Sequence, residues 1–345
     1  MSTPVVLVAG LHDTARTLTV DRLLAEHPGS LAIRRPAEEG HELLRRLVRH
    51  APAATVLVVD LGAHAEPRPV AELIDRDAVR SALRLTAVVT AVDARHLPID
   101  IARGDRVDPA SAGADERHVA EVLARQIEYA TDLVLAGGDA EDVELSAAVL
   151  RHLTFCTPIH HWCDGLPVVS GPALCTRELA DRVDPATARL PCECRTGEVT
   201  TVVWHRLRPL HPLRLFHAAE LLAAWSVRSR GRFWLASRHE RLLGWDGVAG
   251  EISVWDAGRW LAASPAAAWD AVSPARRAAA ALDWNPIMGD RVQHLAFVGP
   301  DLDRERIHDL LDSCLLTREE AVAGSDVWSA YDNPFALILD VDEVV

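Results

Sequence analysis

The sequence predicts an α/β fold in which a mostly parallel sheet carries helices on both faces. Residues 4–9 and 55–60 are continuous apolar runs, as expected for strands that are buried on both sides. Similar runs recur at residues 85–93 and 130–136. Segments with apolar residues at helical spacing separate these runs, and such an alternation implies parallel pairing with right-handed crossovers.

The elements between these strands follow from their apolar spacing. Residues 31–35 are a short strand candidate, and residues 40–50 are predicted to be a helix because their leucines recur on one face. Residues 116–129 have the spacing of an amphipathic helix. The first half of the chain is therefore predicted to consist of repeated strand and helix units.

The second half predicts a smaller α+β domain in which helices cover an antiparallel sheet. Residues 199–204 are a strand candidate, a helix enters through Pro212, and Thr317 with Glu320 forms a capping box that opens a last short helix. A stretch with cysteines, prolines and charges precedes these elements. We therefore predict a first domain at residues 1–178, a linker at 179–198 and a second domain at 199–345.

Composition narrows the classes of function. The chain has 345 residues and a formal net charge of -14, which disfavours free DNA or RNA as a direct ligand. No apolar run reaches the roughly 18 residues of a membrane span, and the N-terminus lacks the pattern of a signal peptide. We expect a cytoplasmic protein without membrane contacts, and six cysteines that are thiols or metal ligands rather than disulfides.

The first strand ends where the phosphate-binding loop of a P-loop NTPase would begin. That loop reads Gly-x4-Gly-Lys-Ser/Thr, and only the first glycine and the hydroxyl are kept here, in a chain without lysine. The candidate nucleotide-binding residues of this loop are Gly10, Asp13, Thr14, Ala15, Arg16 and Thr17. An arginine keeps the positive charge but is a wide planar fork. The alternative is an ordinary first strand and helix whose nucleotide site has been lost.

Asp60 is the second candidate. An acid at the carboxyl end of a buried strand can hold magnesium or water, so we predict that Thr17 and Asp60 bind magnesium if nucleotide binds. The alternative is a turn-forming aspartate, which is common after strands.

Several segments resemble the CobW family of metal-linked GTPases. Residues 60–67 are similar to its Glu-Thr-x-Gly-x-x-Asp-Pro signature, with Ala63 at the glycine position, and residues 88–93 are similar to its Val-x-x-Val-Val-Asp strand. Residues 126–139 resemble its Gln-Ile-x-x-Ala-Asp segment and guanine-reading Asn-Lys-x-Asp motif, of which Asp139 remains while Ala136 replaces the asparagine. The motif order after residue 199 resembles the CobW C-terminal domain, particularly an actinobacterial subgroup that recruits a ribosome hibernation factor under zinc limitation.

This resemblance implies a GTP-binding protein with a degenerate site that acts as a regulatory or recruiting factor. GTP and magnesium are the implied cofactors, Asp139 would read guanine, and hydrolysis is expected to be slow or absent. A protein partner, such as a ribosome-associated factor, is implied. The alternative is a pseudo-GTPase scaffold that makes contacts through a tryptophan-rich C-terminal face and through Arg228, Arg230 and Arg232, which alternate along one strand.

Zinc is the third predicted ligand. The family carries a Gly-Cys-x-Cys-Cys-like metal motif between its first two nucleotide motifs, but no cysteine lies between Gly10 and Asp60. Mixed cysteine and histidine sets can hold zinc tetrahedrally. The candidate zinc ligands are Cys163, Cys175, Cys192 and Cys194, near His160 and His161. Their irregular spacing leaves open the alternative of buried thiols and a surface linker.

Overall fold

The structure is a computed structural model that describes residues 2–34, 40–76, 79–107, 117–154, 156–166, 169 and 171–339. The chain divides into two compact units, Met1–Ala180 and Asp181–Val345. Arg35 and Glu116, each at one end of a predicted element, lie outside the described residues. None of the described helices is both long and apolar enough to cross a membrane.

The first unit contains a six-stranded parallel sheet, which confirms the predicted fold class. Its strands are β1 (Thr3–Ala9), β2 (Leu31–Arg34), β3 (Leu57–Asp60), β4 (Leu83–Asp93), β5 (Asp132–Ala136) and β6 (Ile159–His161). Their order in the sheet is β2-β3-β1-β4-β5-β6. Because all the strands are parallel, the loops that follow their carboxyl ends meet at one edge of the sheet.

Helices connect these strands. They are α1 (Asp13–Glu26), α2 (Gly40–His50), α3 (Pro67–Ile74), α4 (Leu97–Asp100), α5 (Val119–Tyr129), α6 (Ala140–Leu153) and α7 (Thr176–Val183). Val6 and Val8 of β1 pack in one core cluster with Val20 and Leu23 of α1. Val5 and Leu7 of the same strand are also fully buried. Successive strand residues point to opposite faces, so both faces of the sheet are covered.

The second unit contains a six-stranded antiparallel sheet, as the sequence predicts. Its strands are β7 (Cys194–Thr196), β8 (Val199–Arg206), β9 (Arg228–Phe233), β10 (Arg241–Val248), β11 (Glu251–Arg259) and β12 (Gln293–Pro300). The order is β11-β10-β9-β12-β8-β7. Strand β7 thus places part of the stretch 179–198 at an edge of this sheet.

The second unit also contains helices, and several of them pack on this sheet. The helices are α8 (Pro212–Trp225), α9 (Ala268–Ala271), α10 (Pro274–Asp283), α11 (Arg304–Cys314), α12 (Arg318–Val322), α13 (Ser325–Trp328) and α14 (Ala336–Leu339). Leu215 and Leu222 of α8 and Leu311 of α11 share a core cluster with Trp204 and Trp245 of the sheet. Trp234 and Trp260 belong to a second buried cluster. Four tryptophans therefore serve the core rather than a contact surface.

Two of the three arginines of β9 do not face solvent, contrary to the contact surface that the scaffold alternative expects, and Arg230 between them is partly exposed. Arg228 and Arg232 are buried and form ion pairs with Asp246 and Asp283. These two guanidinium groups are satisfied inside the unit because neighbouring elements supply carboxylates that the strand sequence does not reveal.

Candidate functional site

The loop after β1 is short. It consists of Gly10, Leu11 and His12, and α1 begins at Asp13 with His12 as its N-cap. Gly10 has a φ of +139°, and a Cβ there would lie 2.1 Å from the carbonyl oxygen of Ala91. Only glycine can hold this close approach between β1 and β4.

The early start of α1 places the last three positions of the phosphate-loop pattern inside a helix. The N–H of Arg16 donates to the carbonyl of His12 at 3.1 Å. Ala15 and Arg16 are buried, Thr17 is partly buried, and Asp13 and Thr14 are exposed. The N–H of Arg16 is therefore engaged in the helix, whereas a phosphate loop presents such groups to its ligand.

The side chain of Arg16 folds under the loop and is 1% exposed. Its Nε donates to Asp60 Oδ1 at 2.8 Å, and its Nη1 donates to the carbonyls of Gly10 at 2.6 Å and Leu11 at 3.1 Å. Its Nη2 is paired with Asp13. The guanidinium is thus neutralised and hydrogen-bonded on several sides by the loop itself.

Asp60 is buried at the end of β3 beside this loop. Besides the bond from Arg16, its Oδ1 accepts the N–H of Gly62 at 3.0 Å. This second bond is that of a turn-forming aspartate, as the alternative interpretation predicts. The structure therefore brings together Gly10, Asp13, Arg16 and Asp60, and it joins them by an internal network.

Asp139 caps a helix. Its Oδ1 accepts the N–H groups of Glu141 and Asp142 at 3.0 Å each, and its own N–H donates to Asp142 Oδ2 at 3.1 Å. This reciprocal arrangement is a capping box at the start of α6. The hydrogen bonds of Asp139 thus lie within its own turn.

The segment that follows Asp60 is tied to α5. Gln126 is buried and its Nε2 donates to the carbonyls of Ala63 and Ala65 at 2.9 Å each. Glu66 accepts from Arg117 at 2.5 Å and Arg125 at 2.9 Å. Burial opposes ionisation of Glu66, but these two arginines outweigh it and lower its pKa. The two segments with family-like sequence therefore support each other in space.

A group of possible metal ligands that the sequence analysis did not single out lies at the same edge of the sheet. His12 of the loop after β1 meets Asp93, the last residue of β4, and His96, which follows this strand, and one donor atom of each lies within 4.8 Å of the others. His96 Nδ1 is 2.9 Å from Asp93 Oδ1. The imidazole rings stack with centroids 4.7 Å apart. The available signal was a histidine in each loop, combined with the adjacency of the two strands.

Asp100 supports this group from α4. Its Oδ2 lies 2.6 Å from His12 Nε2, and its Oδ1 lies 3.2 Å from Arg103 Nη1. The hydrogen bond to Asp100 raises the pKa of His12 above its usual value, although burial works in the other direction. Burial would raise the pKa of Asp100, but the bonds from His12 and Arg103 lower it.

The predicted zinc cysteines are exposed and are not gathered into one set. Cys163 Sγ lies 2.7 Å from His161 Nδ1, and these residues form a surface group with Asp164. Among the residues that the structure describes, no group of three or more donors includes Cys175, Cys192 or Cys194. The neighbouring His160 bonds instead to Asp132 at 2.9 Å.

Comparisons with known proteins agree with this architecture. Residues 199–315 match the "Cobalamin synthesis protein cobW C-terminal domain", and residues 20–156 match the "CobW/HypB/UreG, nucleotide-binding domain". The second match begins beyond the loop that contains Gly10 and Arg16.

Relatives match over most of the chain. The zinc chaperone Rv0106 of Mycobacterium tuberculosis is 33% identical over 309 residues, which are 85% of this chain and 74% of the relative. Zinc-regulated GTPase metalloprotein activator 1 of Dictyostelium discoideum is 22% identical over 83% of this chain and 65% of the relative. The Zn(II)-bound YjiA GTPase from E. coli has a TM-score of 0.39 at 15% identity, covering 92% of this chain and 100% of that chain. On the evidence of its two matched domains and its mycobacterial relative, this chain belongs to the CobW family.

Proposed function

We propose that this chain is a CobW-family recruiting factor that works without binding or hydrolysing GTP. The observation that carries the proposal is the buried Arg16, which fills the loop after β1 and pairs with Asp60 at 2.8 Å. In a phosphate loop, backbone N–H groups and a lysine face the ligand instead.

Phosphate binding would require this network to open. Arg16 would have to leave Asp60, Asp13 and two backbone carbonyls. Breaking a buried ion pair typically costs about 3–5 kcal/mol, which corresponds to a loss of roughly 100-fold to 1,000-fold or more in affinity. Asp13 also places a negative charge in the first turn of α1, where a phosphate would otherwise be favoured by the helix dipole.

Two of the residues predicted to hold magnesium or guanine, Asp60 and Asp139, are similarly engaged. Asp60 uses Oδ1 for Arg16 and Gly62, and Asp139 uses Oδ1 to cap α6. Ala136 cannot replace the amide that would read guanine. The absent lysine, the buried arginine and the capped aspartate all favour a scaffold over a switch.

The first test is calorimetric titration with GDP and a non-hydrolysable GTP analogue in the presence of magnesium. Wild-type protein is expected to give no heat of binding in the micromolar range, and the E. coli GTPase YjiA is the positive control. Thr17→Ala and Asp139→Ala are the diagnostic variants. Micromolar binding that either substitution abolishes would overturn the pseudo-GTPase proposal and restore a working nucleotide site.

Recruitment of a ribosome-associated factor under zinc limitation is the role that we propose for the scaffold. The family resemblance and the zinc-related names of the relatives support this role. Helix α2 offers a mainly basic surface for an acidic partner, because Arg45, Arg49 and His50 are exposed, together with one acid, Glu42, around a depression of about 300 Å³. A local basic surface can attract an acidic partner even though the net charge of the chain is -14.

The second test is co-sedimentation of the tagged chain with ribosomes from zinc-replete and zinc-starved cells. We expect association in starved cells that the double variant Arg45→Glu/Arg49→Glu weakens at least about tenfold, because each substitution reverses a charge. Substitution of the exposed Arg68 and Arg80, away from α2, is the matched control. Equal absence of the protein from both ribosome pellets would refute the recruiting role without bearing on nucleotide binding.

A further inference from the structure

We propose that His12, Asp93 and His96 form a binding site for a divalent transition-metal ion, with Zn²⁺ as the best match. One donor atom from each side chain lies within 4.8 Å of the others. Two imidazole nitrogens and one carboxylate oxygen, completed by water, make the open tetrahedral set that zinc accepts. Magnesium and calcium prefer sites built from oxygen ligands.

The fold positions these ligands from two adjacent strands. β1 and β4 pair in parallel up to Ala9 and Thr90, and the loop after each strand carries one histidine. Gly10 permits this approach because its hydrogen faces the carbonyl of Ala91, where a Cβ would lie 2.1 Å away. The side chain of His12 makes no capping bond to α1, so metal binding would not compete with the helix for it.

Asp100 acts as a positioning residue for His12. Its carboxylate is 5% exposed and is held between His12 Nε2 at 2.6 Å and Arg103 Nη1 at 3.2 Å. An imidazole that donates from Nε2 keeps the lone pair of Nδ1 available for a metal. Carboxylates of this kind orient metal-binding histidines in many sites.

A small cavity beside the group provides a second observation. It is lined by His12, Asp93 and Asp100 but not by His96, together with apolar residues of the loop after β1 and of β4, α4 and α5, and its volume is about 10 Å³. A volume of that size holds roughly one water molecule or one ion. The carboxylate of Asp93 supplies negative charge that a divalent cation would balance, whereas that of Asp100 is already paired with Arg103.

The inference does not depend on the proposed function, because the site uses neither Arg16 nor the residues that would bind nucleotide. A second group of possible metal ligands, His161, Cys163 and Asp164, lies at the surface and can be compared with the proposed site. That group contains a thiol, whereas the proposed site contains only nitrogen and oxygen ligands. The two sites can therefore be distinguished chemically in the same protein.

The first experiment titrates the metal-free full chain with Zn²⁺ against a chromophoric chelator, without nucleotide. His12→Ala and His96→Ala are expected to weaken one binding event at least about 100-fold, and Asp100→Asn is expected to weaken it about 10-fold to 100-fold. The control variant His161→Ala/Cys163→Ser should leave this event unchanged. Thermal unfolding of each metal-free variant checks folding, and the exposed His96 keeps the test decisive if His12→Ala does not fold.

The second experiment replaces zinc with Co²⁺ and records its absorption spectrum. The proposed site predicts d–d bands that His96→Ala removes, without a thiolate-to-cobalt charge-transfer band in the Cys163→Ser protein. Zinc affinity that neither His12→Ala nor His96→Ala changes would overturn the proposal. A cobalt spectrum that depends only on Cys163 would overturn it as well.

Discussion

Each unit contains a buried arginine–aspartate pair, and the two pairs have similar hydrogen bonds. In the first unit Arg16 donates to Asp60 at 2.8 Å, and in the second unit Arg276 donates to Asp290 at 2.7 Å. Each aspartate also accepts backbone N–H groups: Asp60 accepts that of Gly62, and Asp290 accepts those of a short 3-10 turn at Leu261–Ala263.

The difference is that the first pair occupies a loop where a nucleotide-binding relative would hold phosphate. The second pair fastens a turn to α10 and has no such position. Their similar bonding supports our proposal that Arg16 and Asp60 have a structural role. A residue at a motif position therefore becomes a ligand only if its neighbours leave its charge available.

The largest expected effect comes from removing either carboxylate. Asp60→Ala and Asp290→Ala should each lower the free energy of unfolding by about 3–5 kcal/mol, because each removes the buried carboxylate that pairs with a buried guanidinium. Urea unfolding followed by circular dichroism measures this. Glu72→Ala, which breaks an exposed pair with Arg68, is the control and should cost less than about 1 kcal/mol. If Asp60→Ala lowers the free energy of unfolding as little as the control does, the two buried pairs are not equivalent.

The next effect concerns the glycine that sets the loop. Gly10→Ala should lower the free energy of unfolding by about 1–3 kcal/mol or more, because the new Cβ meets the carbonyl of Ala91 and φ is +139°. Gly171→Ala is the matched control, since nothing lies within 4 Å of its added Cβ. If the two variants unfold at the same urea concentration, the loop is less constrained than the close approach indicates.

The free energy of unfolding should depend on pH through the partly buried side chain of His294. Burial lowers the pKa of His294 to about 3, with the neighbouring Arg232 and His205 adding to the shift. The unfolded chain takes up this proton near pH 6.5, so stability should fall by about 1.4 kcal/mol per pH unit below that value, until about pH 3. His294→Gln should flatten this dependence.

Tryptophan fluorescence is the measurement for this pH effect, because all tryptophans except Trp162 lie in the second unit. Unfolding curves at several pH values should separate wild type from variant progressively as the pH falls from 6.5. If the stabilities of wild type and His294→Gln fall in parallel as the pH is lowered, a group other than His294 causes the loss of stability in acid.

The smallest effect tests the role of Asp139. Asp139→Ala should cost about 1 kcal/mol through loss of the cap of α6, with a similar cost for Thr317→Ala at α12. Urea unfolding measures both. Calorimetry with GDP should show no change for Asp139→Ala, whereas loss of measurable GDP binding in this variant would mean that Asp139 reads a base as well as capping a helix.

Much of the fold was predictable because local patterns agree with the final structure. The leucine spacing of residues 40–50 predicts α2 at its observed bounds, Gly40–His50. Pro212 begins α8, and the Thr317–Glu320 capping box is confirmed. The order of the strands did not follow from these patterns, since it depends on pairing between distant segments.

The candidate site was predictable in position but not in bonding. The sequence places Gly10, Asp60 and Asp93 at strand ends, where ligands of α/β proteins collect. It does not reveal that Arg16 pairs with Asp60 across 44 residues, or that His12 meets Asp100 across 88. The spacing of Asp139 to Asp142 is that of a capping box, whereas the resemblance to the family motif predicts that Asp139 reads guanine.

The sequence by itself determined the two kinds of sheet, the family and the strand ends at which chemistry could occur, because apolar periodicity and turn residues act over a few neighbouring positions. Only the tertiary structure decided which charges are buried in pairs and which remain available. The physical reason is that burial and ion pairing depend on residues from separate elements, as Arg16 with Asp60 and His12 with Asp93 and His96 show.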